Sequence, residues 1–292
     1  MTETPAERRI AFQGEPGAFS EMACRAVRPD LSPLPCPSFE DMLAAVQEGR
    51  AGFAMVPVEN SLAGRVADIH HLLPESGLHI IGEHFQPIRL NLLALPGTAI
   101  GDIRTVRSHG VALLQCRGMI RRHGWTRVTA QDTAGSAREI KEMGDPSVAA
   151  ISSALAAETY GLDILARDIE DAAHNTTRFL LMTRQGVIPP LNGTKCVTTI
   201  VFKVRSVPAA LYKALGGFAT NGINLTKLES YMLGGSFEAA QFYVDAEGHP
   251  EDRAMRLALE ELRFFCPKGA VRVLGVYPAH PYRLESSARP EE

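Results

Sequence analysis

The sequence predicts an α/β protein: two α/β lobes with a ligand cleft between them, followed by a separate unit of order βαββαβ. Three observations carry this reading. Through the first part of the chain, strand-like and helix-like runs alternate about every 10 to 15 residues, the spacing of βαβ units. Residues 52–58, Gly-Phe-Ala-Met-Val-Pro-Val, are continuously apolar, as a strand covered on both faces of a parallel sheet would be. After a stretch rich in Gly, Pro and Asn at 184–195, the order becomes strand, helix, two strands, helix, strand, which is the ferredoxin-like plan.

Composition bounds the classes of function. The chain has 292 residues and 45% hydrophobic content, enough for a sizeable core and for two to three ordinary domains. With 30 basic and 33 acidic residues the net charge is -3, so no global basic field exists to attract nucleic acid or an anionic membrane surface. Any anionic ligand must be held locally. The start, MTETPAERR, lacks the apolar core of a secretory signal, and no run approaches the ~18 apolar residues of a membrane span; the expected location is cytoplasmic. Five widely spaced cysteines without a C-x-x-C pair indicate neither a disulfide framework nor a zinc site. The nine histidines form no H-x-x-x-H or H-E-x-x-H, so no metal is expected.

In chain order, residues 10–14 read as a strand. The turn Glu15-Pro16-Gly17-Ala18-Phe19-Ser20 then opens a helix whose free N–H groups could seat an anion. Without G-x-G-x-x-G or a P-loop lysine, no nucleotide is implied. Ser38-Phe-Glu-Asp41 is a capping box, and Phe39, Met42, Leu43 and Val46 fall on one helix face. The strand over 52–58 empties into Glu59-Asn60-Ser61, beyond the carboxyl end where ligands of open parallel sheets sit; the plain alternative is a cap for the next helix. Two apolar runs between 78 and 95, broken near Gln86-Pro87, lead into a second lobe. There, Ser108 reads as the N-cap of a helix with Ala112, Leu113, Cys116, Met119 and Ile120 on its buried face. Gln115 lies off that stripe. The pattern repeats with a strand at 125–130, a polar turn Asp132-Thr-Ala-Gly-Ser136 opening a helix to Met143, a strand at 148–151 and a short helix stopped by Gly161. A return crossing falls near 171–177.

The stretch His174-Asn-Thr-Thr-Arg-Phe-Leu-Leu-Met182 concentrates hydroxyls, an amide, an imidazole and a guanidinium before an apolar strand. Arg178 is its only full charge at neutral pH, and its planar fork suits a carboxylate. Beyond the linker, a strand at 197–204 is followed by a helix opened by Ser206-Val-Pro208. A strand at 223–233 turns at Gly234-Gly235-Ser236 into a partner at 237–246, and then come a helix from Pro250 and a strand at 270–277. One sheet face has no helix of its own, and a second copy of the chain is the expected cover. Residues 279–292 read as a disordered tail.

Taken together, Ala11-Phe-Gln-Gly-Glu-Pro-Gly-Ala-Phe-Ser20, Phe53-Ala-Met-Val-Pro-Val-Glu-Asn-Ser61, Ser108-His109 with Gln115-Cys116, Thr133-Ala-Gly-Ser-Ala137 and Thr176-Thr-Arg-Phe179, in this order and ahead of a βαββαβ unit, resemble a prephenate dehydratase carrying a C-terminal ACT regulatory domain. The resemblance spans roughly Ile10 to Tyr277. It implies a two-lobed, periplasmic-binding-protein-like catalytic domain over 1–185, with lobe 1 at about 8–85 and 172–185 and lobe 2 at about 86–171. A linker at 186–196 and an ACT domain at 197–278 would follow.

The resemblance also implies a reaction: prephenate loses carboxylate and hydroxyl to give phenylpyruvate, carbon dioxide and water, with aromatisation as driving force and no cofactor. Thr177 matches the family's functional threonine and would donate to the departing oxygen. Arg178 would clamp a carboxylate, and Asn60, Ser108 and Gln115 would orient substrate. Ser61, Phe179, Thr133, Gly135 and Ser136 would line the site. Glu59, repulsive towards a dianion unless paired, would bind there or order the loop. Phenylalanine would act as effector at Ala210, Leu211, Asn221, Gly222, Ile223, Asn224, Leu225, Glu229 and Ser230 of a homodimer or homotetramer. Here Pro208-Ala-Ala-Leu211 and Glu229-Ser-Tyr-Met232 depart from the family's usual effector motifs. Arogenate is the alternative substrate, and a non-catalytic solute or amino-acid sensor the alternative class.

Overall fold

The computed structural model describes residues 6, 8–205, 207–232 and 240–286. The chain packs into two units, Met1–Ile69 with His84–Phe179, and His70–Glu83 with Leu180–Glu292. The first unit opens with β1 (Arg9–Gln13), α1 (Phe19–Val27), β2 (Ser32–Cys36), α2 (Phe39–Gln47), β3 (Phe53–Asn60), β4 (Gly64–Arg65) and α3 (Ala67–Leu72). β1 pairs in parallel with both β2 and β3, and β3 pairs with the short return β4. Phe12, Met42, Met55 and Val56 are fully buried in this layer, so the apolar run at 52–58 does lie in a covered sheet. The Ser38 hydroxyl caps α2 by accepting from Asp41 N at 3.1 Å.

β5 (His79–Pro87) leads to β6 (Asn91–Ala94), β7 (Thr105–His109), α4 (Gly110–Gln115), α5 (Arg117–His123), β8 (Thr126–Ala130), α6 (Thr133–Met143), β9 (Val148–Ser152), α7 (Ala154–Tyr160) and β10 (Asp163–Ala166). β11 (Thr176–Thr183) then takes its place beside β3. The second sheet runs β10-β6-β9-β7-β8, with β7 parallel to β8 and β9, and buries Leu92, Val106, Ile120, Trp125 and Ile151. The two lobes are joined by adjacent segments: Ile88 N donates to Asn175 O at 2.9 Å, and Ile169 N to Leu90 O at 2.8 Å.

Several local expectations change. β2, Ser-Pro-Leu-Pro-Cys, is hidden by its two prolines, which only an edge strand tolerates, and β2 is the edge. The helix expected from Ser108 breaks at Cys116 (φ -115°, ψ 19°) into α4 and α5. Its cap is His109, whose ring nitrogen accepts from Val111 N at 3.3 Å. The anion seat before α1 is filled from within, because Gly17 N donates to the buried Glu21 carboxylate at 2.7 Å and Arg25 neutralises that charge at 2.7 Å.

The second unit contains β12 (Cys196–Lys203), α8 (Ala210–Thr220), β13 (Leu225–Met232), β14 (Ala240–Glu247), α9 (Arg253–Phe265), β15 (Val271–Pro278) and α10 (Pro281–Ser286). Its antiparallel order β13-β14-β12-β15 is ferredoxin-like, with α8 and α9 over a core of Ile200, Phe202, Phe218, Val244, Met255 and Leu262. The turn expected at 234–236 lies outside the described residues, as does Ser206.

The opposite sheet face is covered in part from within the unit: His70 stacks on Tyr231 (5.6 Å), while β5 extends the sheet at its β15 edge, Ile80 pairing with Gly275. Not all of residues 279–292 are a tail, for α10 carries Arg283 onto this face. Its guanidinium donates to both oxygens of the fully buried Glu83 at 2.6 and 2.9 Å and stands 3.8 Å from the fully buried Asp245, which also accepts from Thr199 Oγ1 at 2.6 Å. A face carrying Thr199, Tyr243 and Asp245 among its inward groups is too polar to be sealed by apolar packing alone, so the covering segment supplies ions instead. Arg283→Met should therefore destabilise the protein by about 3 kcal/mol or more, the cost of breaking a buried pair from one side. Arg283→Lys should restore part of that loss. Urea denaturation measures both, and a loss below about 1 kcal/mol would contradict the compensating role.

Candidate active site

Adjacent strands β3 and β11 carry the polar groups, and strand alternation sorts them onto two faces. On one face, Asn60 Nδ2 donates to Thr177 Oγ1 at 2.9 Å, to Asn175 Oδ1 at 2.8 Å and to Thr176 O at 3.3 Å. On the other, Arg178 Nη1 donates to Glu59 Oε1 at 3.0 Å. Neighbouring strand residues cannot both face one ligand, so the expected direct clamp by Arg178 beside Thr177 is not what the strand presents. Arg178 is 2% exposed and holds Glu59. That pairing removes the repulsion a bare Glu59 would exert on an anion.

Local turns fix this geometry. Asn60 Oδ1 accepts from Leu62 N at 3.0 Å and Ala63 N at 2.8 Å, closing the β3–β4 turn as an Asx motif does. Ser61 ties the same turn to the incoming β11, donating to His174 O at 2.9 Å and accepting from Thr176 N at 3.0 Å. Asn175 was not singled out from sequence, yet it is the link between lobes: 1% exposed, it donates from Nδ2 to Gln115 Oε1 at 3.0 Å. Its signal was its place in the polar cluster just before Thr176. Asp171 secures the crossing, its N–H donating to Gln115 O at 2.7 Å and its carboxylate receiving Gly118 N at 3.1 Å. A Cβ at Gly118 would stand 2.5 Å from that carboxylate.

Asn60, Gln115, Asn175 and Thr177 thus form one hydrogen-bonded set. Thr177 accepts within it, and its own O–H meets no acceptor among the described residues. Ser108 stands apart: it is buried, and its hydroxyl donates to Ile151 O at 2.6 Å. Gly135 N and the Ser136 hydroxyl are taken by Asp132, at 2.6 and 2.8 Å, in capping α6, while Thr133 remains partly exposed in that first turn. Phe179 shares the Thr177 face but is sunk in the core. Burial pushes the Cys116 thiol, next to Gln115, far above the ordinary thiol range, and the Glu170 and Asp171 charges add to this. Among the described residues no group of three or more His, Cys, Asp or Glu could hold a metal ion.

In the second unit, Ala210 and Leu211 open α8, residues 221–224 connect it to β13, and Leu225, Glu229 and Ser230 lie on β13. Lys227 Nζ donates to Glu229 at 3.4 Å. The loop before α8, turned by Ala209 at φ 60°, borders an open cavity of about 470 Å³ lined by Val204, Pro208, Leu211 and Tyr212.

The prephenate dehydratase family model matches residues 10–187. The chain is 53% identical over 277 residues to a bifunctional N-acyl-homoserine lactone acylase/prephenate dehydratase of Komagataeibacter europaeus, covering 95% of this chain and 98% of that one. It is 39% identical to arogenate dehydratase/prephenate dehydratase 2 of Arabidopsis thaliana, covering 92% of this chain and 72% of the relative. A prephenate dehydratase structure from Arthrobacter aurescens, in complex with L-Phe, superposes with a TM-score of 0.84 at 35% identity, over 96% of each chain. On sequence and fold together, this chain belongs to the prephenate dehydratase family of carbon–oxygen lyases.

Proposed function

We propose that the chain converts prephenate to phenylpyruvate, carbon dioxide and water, at a site centred on Thr177. The observation that carries this is the hydroxyl's state: Asn60 donates to Thr177 Oγ1, so the O–H proton is directed away from the strand pair and towards a ligand. In the reaction the C1–carboxylate bond breaks, and its electrons complete the aromatic ring as the C4–O bond breaks. The departing oxygen takes a proton by way of Thr177, which recovers one from solvent. A dianion thereby becomes a monoanion plus neutral carbon dioxide and water, with no redox step. Gln115 binds the substrate, and the Glu59–Arg178 pair keeps the neighbouring wall neutral.

Arogenate shares the reacting ring and differs only at the side chain, so both substrates belong in the assay. Phenylalanine binding by the second unit, around 210–211 and 221–230, is the regulatory part of this reading, supported by the L-Phe complex of the relative at 35% identity. A cytoplasmic homo-oligomer is the expected form. The test is product formation by purified protein: phenylpyruvate absorbance from prephenate, with and without added phenylalanine, and phenylalanine by chromatography from arogenate. Turnover of neither substrate overturns the dehydratase reading.

The relative at 53% identity supports a second reading, hydrolysis of N-acyl-homoserine lactones. Burial raises all five thiols, Cys266 to about 11 and the others also upward, so a thiolate nucleophile is not at hand at neutral pH. Release of homoserine lactone, followed by chromatography, tests this activity separately.

Thr177→Val should lower kcat by about 10²- to 10⁴-fold, the range of positioned proton donation, with a much smaller change in KM. Equal effects on both parameters would assign the hydroxyl to binding alone. Iodoacetamide at pH 8 should leave turnover of prephenate, and of any acyl-homoserine lactone cleaved, within about twofold, because a buried neutral thiol alkylates slowly. Rapid, stoichiometric inactivation would place a reactive cysteine in the site.

A further inference from the structure

The amide groups around Thr177 run in one direction. Asn60 Oδ1 accepts two backbone N–H groups, from Leu62 and Ala63, so its orientation is fixed and its Nδ2 must face Asn175 and Thr177. Asn175 then has to present Oδ1 to Asn60, which leaves Nδ2 for Gln115. Gln115 accepts with Oε1, and its Nε2, with two hydrogens, meets no acceptor among the described residues. Backbone polarity at one turn in lobe 1 is thus passed through two amides to a side chain on the helix of lobe 2.

We infer that Asn175 is a positioning residue which commits Gln115 to present N–H donors, and that this polarity selects an anionic or carbonyl acceptor on the substrate. The inference rests on the dehydratase reading of the site and names what that reading lacks, the reason Gln115 favours an anion. A free glutamine amide can rotate to offer either end. A buried Asn175, 1% exposed and with both its amide atoms engaged, removes that choice.

The test is Asn175→Asp at pH 8. The carboxylate still accepts from Asn60, so the Thr177 side is kept. It cannot donate to Gln115, so the Gln115 amide turns its donors inward and offers Oε1 to the ligand. KM for prephenate should rise about tenfold to a hundredfold, the worth of a hydrogen bond to a charged group, while kcat stays within about threefold. Because Asn175 acts through Gln115, adding Asn175→Asp to Gln115→Ala should leave KM where Gln115→Ala alone puts it. A purely structural role would lower kcat and raise KM together and multiply with Gln115→Ala, and either result overturns the inference.

A second readout needs no turnover. The side-chain NH₂ resonance of Gln115, identified by its loss in Gln115→Ala, should shift in Asn175→Asp. An unshifted resonance overturns the inference even in an active enzyme. A shifted resonance in a protein that turns over neither substrate overturns the dehydratase reading alone.

Discussion

The hydrogen bond from Asn60 to Thr177 is the contact on which the rest of the site depends. It joins the end of β3 to the start of β11 across 117 positions of sequence, so forming it closes a loop that contains the second lobe. In free energy a neutral bond of this kind contributes about 1 kcal/mol. Its larger effect is directional: it engages one lone pair of the hydroxyl, so the O–H points away from Asn60. A threonine is a weak acid in water, and orientation is what the fold can add.

Around that bond the two strands divide the labour by face. Thr177 and Asn60 share one side with Asn175, while Glu59 and Arg178 neutralise each other on the other. Pairing with Arg178 offsets the repulsion that the Glu59 carboxylate would otherwise exert on an anionic ligand. The amide chain to Gln115 then spans the crossing between lobes, next to the pairing of Ile88 with Asn175 and of Ile169 with Leu90.

Much of this was legible in the sequence, and the failures have physical causes. Apolar periodicity found the core helices and strands, and the motifs picked out Asn60, Gln115 and Thr177, which the fold joins through Asn175 into one hydrogen-bonded set. Periodicity could not reveal β2, whose prolines break every strand rule except the one for edges. Nor could it show that Ser108 and Ser136 spend their hydroxyls on Ile151 and Asp132, because a hydroxyl used for structure and one used for binding look alike in a sequence. Side-by-side residues in a motif suggested a joint role for Thr177 and Arg178, whereas a strand sends them apart. The cover of the ferredoxin-like sheet was missed for a different reason: it comes from residues 70–83, more than a hundred positions earlier.

That distant cover bears on how the chain is made. The second unit needs His70–Glu83, synthesised early, and Arg283, synthesised after its last strand. Until Arg283 emerges from the ribosome, Glu83 and Asp245 lack the guanidinium that stands beside both in the folded unit, so burying either costs more before that point than after it. Closure of this face is therefore favoured late, once some two hundred residues beyond Glu83 have been translated.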